Sequence, residues 1–352
     1  VWVYITGVTD HHQNSQPRSM QRIAGTDVWQ WTTQLNANWR GSYCFIPTER
    51  DDIFSAPSPD RLELREGWRK LLPQAIADPL NPQSWKGGRG HAVSALEMPQ
   101  APLQPGWDCP QAPEIAAKEI IWKSERLKNS RRVWIFTTGD ATAEERPLAV
   151  LLDGEFWAQS MPVWPVLTSL THRRQLPPAV YVLIDAIDTT HRAHELPCNA
   201  DFWLAVQQEL LPLVKAIAPF SDRADRTVVA GQSFGGLSAL YAGLHWPERF
   251  GCVLSQSGSY WWPHRGGQQE GVLLEKLKAG EVSAEGLRIV LEAGIREPMI
   301  MRANQALYAQ LHPIKESIFW RQVDGGHDAL CWRGGLMQGL IDLWQPLFHD
   351  RS

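Results

Sequence analysis

Val228–Trp246, VVAGQSFGGLSALYAGLHW, decides the fold. A β-branched, apolar run enters a glycine-rich turn and leaves as a helix-forming run, and the turn itself, Gly231-Gln232-Ser233-Phe234-Gly235, fits G-x-S-x-G. A serine placed between strand and helix needs neighbours without side chains, so that its hydroxyl projects from the end of the sheet as a nucleophile. An idle serine in a plain turn and a phosphate cradle at a helix N-terminus are the competing readings. No P-loop lysine follows the turn, which weighs against the cradle.

Outward from that turn, the runs PLAVLLD, AVYVLID, RTVVAG, FGCVLSQS, LRIVLEAG and SIFWRQV read as buried strands. Helical stretches such as ADFWLAVQQELLPLVKAIA and ANQALYAQL separate them. Continuous apolar strands alternating with helices specify a mainly parallel sheet covered on both faces, which with the serine turn gives an α/β-hydrolase fold. Ligands of such sheets bind outside the carboxyl ends of the strands.

Serine at its free pKa is a weak nucleophile and needs a base within hydrogen-bond reach. His327, in the Gly-rich loop of FWRQVDGGHDALCW, follows the last strand and precedes the terminal helix. His11, His12, His91, His172, His191, His194, His245, His264 and His312 lack that placement and are read mostly as surface residues. The orienting acid belongs on the loop after LRIVLEAG, where Glu297 stands. Glu292 is placed in the strand, Asp324 and Asp328 are read as shaping the loop, and a Ser-His dyad is the alternative to a triad. For the oxyanion, Phe234 supplies one backbone N–H, and the loop after PLAVLLD a second, from Gly154 or Glu155.

Ahead of this domain lie short alternating runs, VWVYITGV, VWQWTTQL and SYCFIP, which read as a small β-sandwich. Five prolines between 98 and 113 mark a linker. The chain divides accordingly into a β-sandwich domain over 1–98, a Pro-rich linker over 99–117 and an α/β-hydrolase domain over 118–352. A length of 352 residues suits two domains, since single cores stop growing near about 250–300.

The formal charge of −4 argues against general nucleic-acid binding, and no run of about 18 apolar residues is present to span a membrane. The five cysteines, Cys44, Cys109, Cys198, Cys252 and Cys331, form no C-x-x-C, so reduced thiols and a cytoplasmic setting are expected and no zinc site is. The opening residues already look like a strand and carry no signal pattern.

The segments LLDGEFW, HRAHELPCNADFW, GQSFGGLSALYAGLHWPERFGCVLSQSGSYWW and GGHDALCWRGGL resemble the esterase-D-like serine hydrolases, and within them the enterochelin (enterobactin) esterases. The resemblance implies a cyclic trilactone of 2,3-dihydroxybenzoyl-serine carrying Fe(III) as substrate. Its hydrolysis would weaken the chelate and release iron. It also implies Ser233 as nucleophile and His327 as base, with Glu297 where the acid is expected. Iron enters only within the substrate, so neither a resident metal nor a cofactor is implied. Catecholate rings on an anionic complex call for local cations and flat apolar surface. Arg192, beyond AVYVLID, is the candidate cation, with a pair to Glu195 as its competing role. Trp157, Trp261 and Trp262 are candidate apolar walls or core. A general carboxylesterase or thioesterase and a non-catalytic binding module are the alternative functions.

Overall fold

The computed structural model describes residues 1–10, 14–49, 53–54, 60–87, 90–113, 116–264, 270–311 and 317–349. Period-2 patterning shapes the front of the chain. In β1 (Trp2–Ile5), Tyr4 joins Cys44, Ile46, Trp68, Leu71 and Val93 in one apolar cluster, while Val3 and Ile5 join Trp39 in another. Alternate side chains leave opposite faces of a strand, so each face of this sheet carries its own core. The sheet is five-stranded and antiparallel, in the order β2 (Arg18–Ser19), β1, β5 (Arg40–Ile46), β7 (Ala92–Glu97), β6 (Ser84–Lys86). A two-stranded ribbon of β3 (Gln21–Arg22) and β4 (Trp29–Gln30) stands beside it.

Trp68 and Leu71 come from the helix Arg61–Leu71, which the alternating runs did not suggest. Its signal is nonetheless in the chain. Asp60 accepts from the Leu62 and Glu63 N–H groups, and Glu63 reaches back to the Asp60 N–H at 3.0 Å, a capping box. The compact unit built on this sheet comprises Val1–Leu103 together with two later segments, Gly294–Pro298 and Val323–Arg333.

The other unit comprises Gln104–Ala293, Met299–Gln322 and the chain from Gly334 on. Its eight-stranded sheet runs β15 (Ile318–Val323), β14 (Arg288–Gly294), β13 (Cys252–Gln256), β12 (Thr227–Gln232), β10 (Leu148–Leu151), β11 (Val180–Ile184), β9 (Asn129–Thr137), β8 (Lys118–Ser124). The pairs β11·β10, β10·β12, β12·β13 and β13·β14 are parallel, and the hairpin β8–β9 adds antiparallel strands at one edge. Every residue of β10, β11, β12 and β13 is buried, as an α/β-hydrolase sheet with helices on both faces requires. The chain runs from β10 to β11 on one side and then returns to place β12 on the other. The order thus reverses between β10 and β12, and the crevice of such a sheet opens there.

Between Glu97 and Lys118 no helix or strand occurs among the described residues. This strap is tied to the helix Trp164–His172 by Ser169 Oγ donating to Cys109 O at 2.9 Å and by Gln111 N–H donating to Pro165 O at 3.1 Å.

Candidate active site

Ser233 stands alone between β12 and the helix Phe234–His245, at φ 60° and ψ −121°. A non-glycine residue with positive φ is strained, and the strain is held by neighbours on both sides. Its N–H donates to Gln256 O on β13 at 3.0 Å, and its carbonyl accepts from Leu237 N–H and Ser259 N–H, both at 3.1 Å. Its Oγ lies 3.4 Å from Ser259 Oγ.

The three glycines around the turn are not equivalent. A Cβ on Gly231 would collide with the backbone of Gly235, and one on Gly236 would stand 2.7 Å from Ser255 Oγ and 3.1 Å from Gly258 Cα. A Cβ on Gly235 itself would meet nothing closer than Leu152 Cβ at 3.5 Å. Gly231→Ala is therefore expected to cost about 1–3 kcal/mol of stability by overpacking, whereas Gly235→Ala, at a helical position, is expected to be neutral or slightly stabilising. Urea unfolding midpoints of the two variants check this, and an equal fall in both would refute the distinction.

Across the crevice, β10 is followed by Leu152, by Asp153 at φ 52° and then by Gly154. Gly154 packs so closely on β11 that a Cβ there would stand 2.5 Å from Ile184 N. Glu155 follows, its Oε2 accepting Ala186 N–H at 3.0 Å. Burial, reinforced by the neighbouring Asp153 carboxylate, pushes the Glu155 carboxyl up to about 7. Asp153 receives Arg192 in a two-pronged bond, Nε at 2.6 Å and Nη2 at 2.8 Å, and Arg192 Nη2 also reaches Gln232 O at 3.3 Å.

Arg192 thus braces the strand that carries the nucleophile. The partner anticipated for it, Glu195, is instead taken by Arg131 in a buried pair at 2.7 Å. The Arg192 guanidinium lies 5.8 Å over the Phe234 ring, and Phe234 lies 6.0 Å from Trp261, so cation and aromatic surface are continuous with Ser233. Trp261 is half-buried against Ala293, Ile300 and Met301, and Trp262 packs on the main core. Trp157 is corrected to a support: at 1% exposure, with Nε1 donating to Gln232 Oε1 at 3.0 Å, its ring lies within the core and has no face to offer a ligand.

A buried polar row continues from that bond, with Gln232 Nε2 donating to Gln256 Oε1 at 2.9 Å and Gln256 Nε2 to Glu292 Oε1 at 2.7 Å. It ties β12, β13 and β14 together immediately below the elbow, and Glu292 does remain in its strand. The row escaped the sequence analysis because it needs strand register, although polar residues inside otherwise apolar strands were its visible sign.

Glu297 and His327 meet in the other compact unit. Glu297 Oε1 is 2.5 Å from His327 Nδ1, and its Oε2 accepts Gly294 N–H at 2.8 Å. The acid is fully buried, so each carboxylate oxygen has a defined partner. Arg296 binds Asp324 at 2.6 Å and thereby links the acid-bearing and base-bearing loops, and Trp332 stands edge-on to the imidazole at 4.7 Å. Asp324 and Asp328 do shape the base-bearing loop. Of the other histidines considered, His172 and His194 are exposed, His91, His191, His245 and His264 are half-buried, and His11, His12 and His312 lie outside the described residues.

One unit thus holds a serine at a strained turn with backbone donors at a helix start, and the other an imidazole oriented by a carboxylate, groups of the kinds that acyl transfer uses. Two family models match the chain, one described as enterochelin esterase, N-terminal, over residues 1–107, and one described as putative esterase over residues 124–343. The iron(III) enterobactin esterase of Escherichia coli strain K12 is 98% identical over all of this chain and 88% of its own length. That of Dickeya dadantii strain 3937 is 48% identical over 96% of this chain and 82% of its own length. A crystal structure of the Shigella flexneri enterobactin esterase in the presence of enterobactin superposes with a TM-score of 0.92, at 97% identity, over 98% of this chain and 88% of that one.

Proposed function

The chain belongs to the enterochelin (enterobactin) esterase family, and from that premise we propose how its own residues divide the work. The protein is a serine esterase that hydrolyses the trilactone esters of ferric enterobactin. The observation that carries the assignment of roles is Ser233 at its strained turn, together with an imidazole fixed by a buried carboxylate.

Ser233 Oγ attacks an ester carbonyl as His327 takes its proton. Glu297 holds the imidazole Nδ1–H, leaving Nε2 to accept, and stabilises the imidazolium that forms. The oxyanion receives the N–H of Phe234 and a second donor from Gly154 or Glu155. Collapse expels the serine hydroxyl of the adjoining dihydroxybenzoyl-serine unit, which takes the proton from His327. Water then attacks the acyl-serine by the same route and frees Ser233. The first cycle opens the ring, and later cycles release single units, so the iron loses a preorganised hexadentate ligand. Iron is cargo in this scheme, and the acyl transfer itself needs no resident metal or cofactor.

Arg192, Trp261 and Trp262 are the proposed contacts to the catecholate complex. The cytoplasm is the proposed setting, supported by five free cysteines, which a reducing compartment would keep as thiols.

Mass analysis of products from ferric and iron-free enterobactin, beside a short-chain p-nitrophenyl ester, tests these roles in wild type and Arg192→Ala. Wild type is expected to release linear oligomers and then dihydroxybenzoyl-serine. Arg192→Ala is expected to weaken siderophore binding by about 1.5–3 kcal/mol, the range for a hydrogen bond to a charged group, with less effect on the small ester. Equal losses on both substrates would assign Arg192 to bracing the elbow through Asp153 instead.

A further inference from the structure

The base-bearing segment Val323–Arg333 belongs to the same compact unit as the front sheet, and its contacts there are specific. β1 stops pairing with β5 at Ile5 and Tyr43. Thr6 N–H still reaches Ser42 O at 3.1 Å, but the next donor on that edge, Ser42 N–H, goes to Asp328 Oδ2 at 2.5 Å. A carboxylate thus takes the place of a strand in the ladder. Its other oxygen, Oδ1, accepts Leu330 N–H at 2.9 Å and caps the helix Ala329–Trp344. Burial pushes the Asp328 carboxyl up, and hydrogen bonding by the Ser42 side chain and by the Leu330 and Ser42 N–H groups opposes the shift.

The surroundings repeat the pattern. Cys331 Sγ donates to Arg40 O at 3.2 Å, Arg333 pairs with Glu97 at 3.1 Å, and Asn36 donates to Asp324 Oδ2 at 2.7 Å. A Cβ on Gly7 would stand 2.9 Å from Gly326 Cα, so the two backbones touch. His327 itself follows Gly325 and Gly326, which leave a free chain more conformations than any other pair. Glu297 orients the ring itself, and the backbone that carries it is held by the next residue, which is bonded at both oxygens.

Given His327 as the base, a reading on which this step rests, we infer that Asp328 is a positioning residue that ties the imidazole to strand β5, so that the front sheet sets the rate of ester cleavage through the base. The front unit is then part of the catalytic mount.

Asp328→Ser separates the two bonds, because a serine hydroxyl still caps the helix but offers no second oxygen to Ser42 N–H. Its kcat per active site, titrated with a fluorophosphonate, is expected to fall about 100-fold on both enterobactin and p-nitrophenyl butyrate, the scale of a 1 Å misplacement. KM for each is expected to stay within about threefold of wild type, as for an interaction used only in the transition state. The far-downfield proton resonance of the Glu297–His327 bond, assigned by its loss in Glu297→Gln, should shift or broaden. Asp328→Asn keeps the volume but has one acceptor for two N–H donors, and is expected to slow in the same way should the serine variant not fold. Wild-type kcat in either variant, an effect confined to KM, or an unmoved resonance would overturn the inference. His327→Ala run in parallel distinguishes the failures: turnover in that variant removes His327 as base, whereas a dead His327→Ala beside a fully active Asp328→Ser overturns the positioning alone.

Discussion

Ser233→Ala is expected to lower kcat on enterobactin by about 10⁴-fold or more, with folding intact. The hydroxyl is half-exposed, and the bond recorded for its Oγ is a 3.4 Å contact to Ser259 Oγ, so its removal exposes no buried polar group. Alanine retains the Cβ, hence the positive φ is neither relieved nor worsened. The donors of the turn are backbone atoms and stay where they are. The neighbouring hydroxyl, Ser259, is 1% exposed, so it is poorly placed to accept the acyl group in place of Ser233. Product formation followed by chromatography and a thermal melt give both readouts. Retention of a tenth of wild-type turnover would remove Ser233 from the role of nucleophile.

Glu297→Gln is expected to cost roughly 10³- to 10⁴-fold in kcat, the scale of an imidazole held in the wrong tautomer. The carboxylate serves His327 Nδ1 at 2.5 Å and Gly294 N–H at 2.8 Å, one oxygen each. An amide has a single acceptor. If its oxygen keeps Gly294, its NH₂ faces Nδ1 and drives the proton to Nε2, where it blocks base catalysis. If its oxygen turns to Nδ1, two donors oppose each other at Gly294 in a site closed to water. Both arrangements are unfavourable, and the first disables the base outright. Unchanged kcat in this variant would establish a Ser-His dyad.

The elbow was legible because its constraints are local: β-branched residues, crowding of Gly231 on Gly235 and a helix start all fall within a few positions. Glu297 and His327 were legible by their place after successive strands, since an α/β sheet presents its functional loops at strand ends. The partners of charged groups were not. Arg192 lies three residues from Glu195, yet it bonds Asp153, because the helix Thr189–Glu195 turns its side chain toward the crevice between β10 and β12. The joining of late segments to the front sheet was equally hidden, since no periodicity or composition marks an N–H on β5 as the partner of a carboxylate far along the chain. Trp157 shows the same limit for aromatics: an indole after a strand end reads as a wall or as core until the Gln232 bond is seen.

Ser42 and Asp328 are 286 positions apart, and the bond between them has a consequence for assembly during synthesis. At equilibrium a closure of that span costs little beyond a shorter one, since each doubling of loop length adds only about 0.6 kcal/mol. In time the cost is large, because contacts of high sequence separation form late and slow the whole chain. A nascent polypeptide that has already made β5, β10 to β13 and the serine turn still lacks His327, the proposed proton acceptor. The stretch Val323–Arg333, made well after them, brings the imidazole and seats it beside β5. On the proposed roles, esterase competence therefore waits for that stretch, and a chain halted before it carries the nucleophile without the means to activate it.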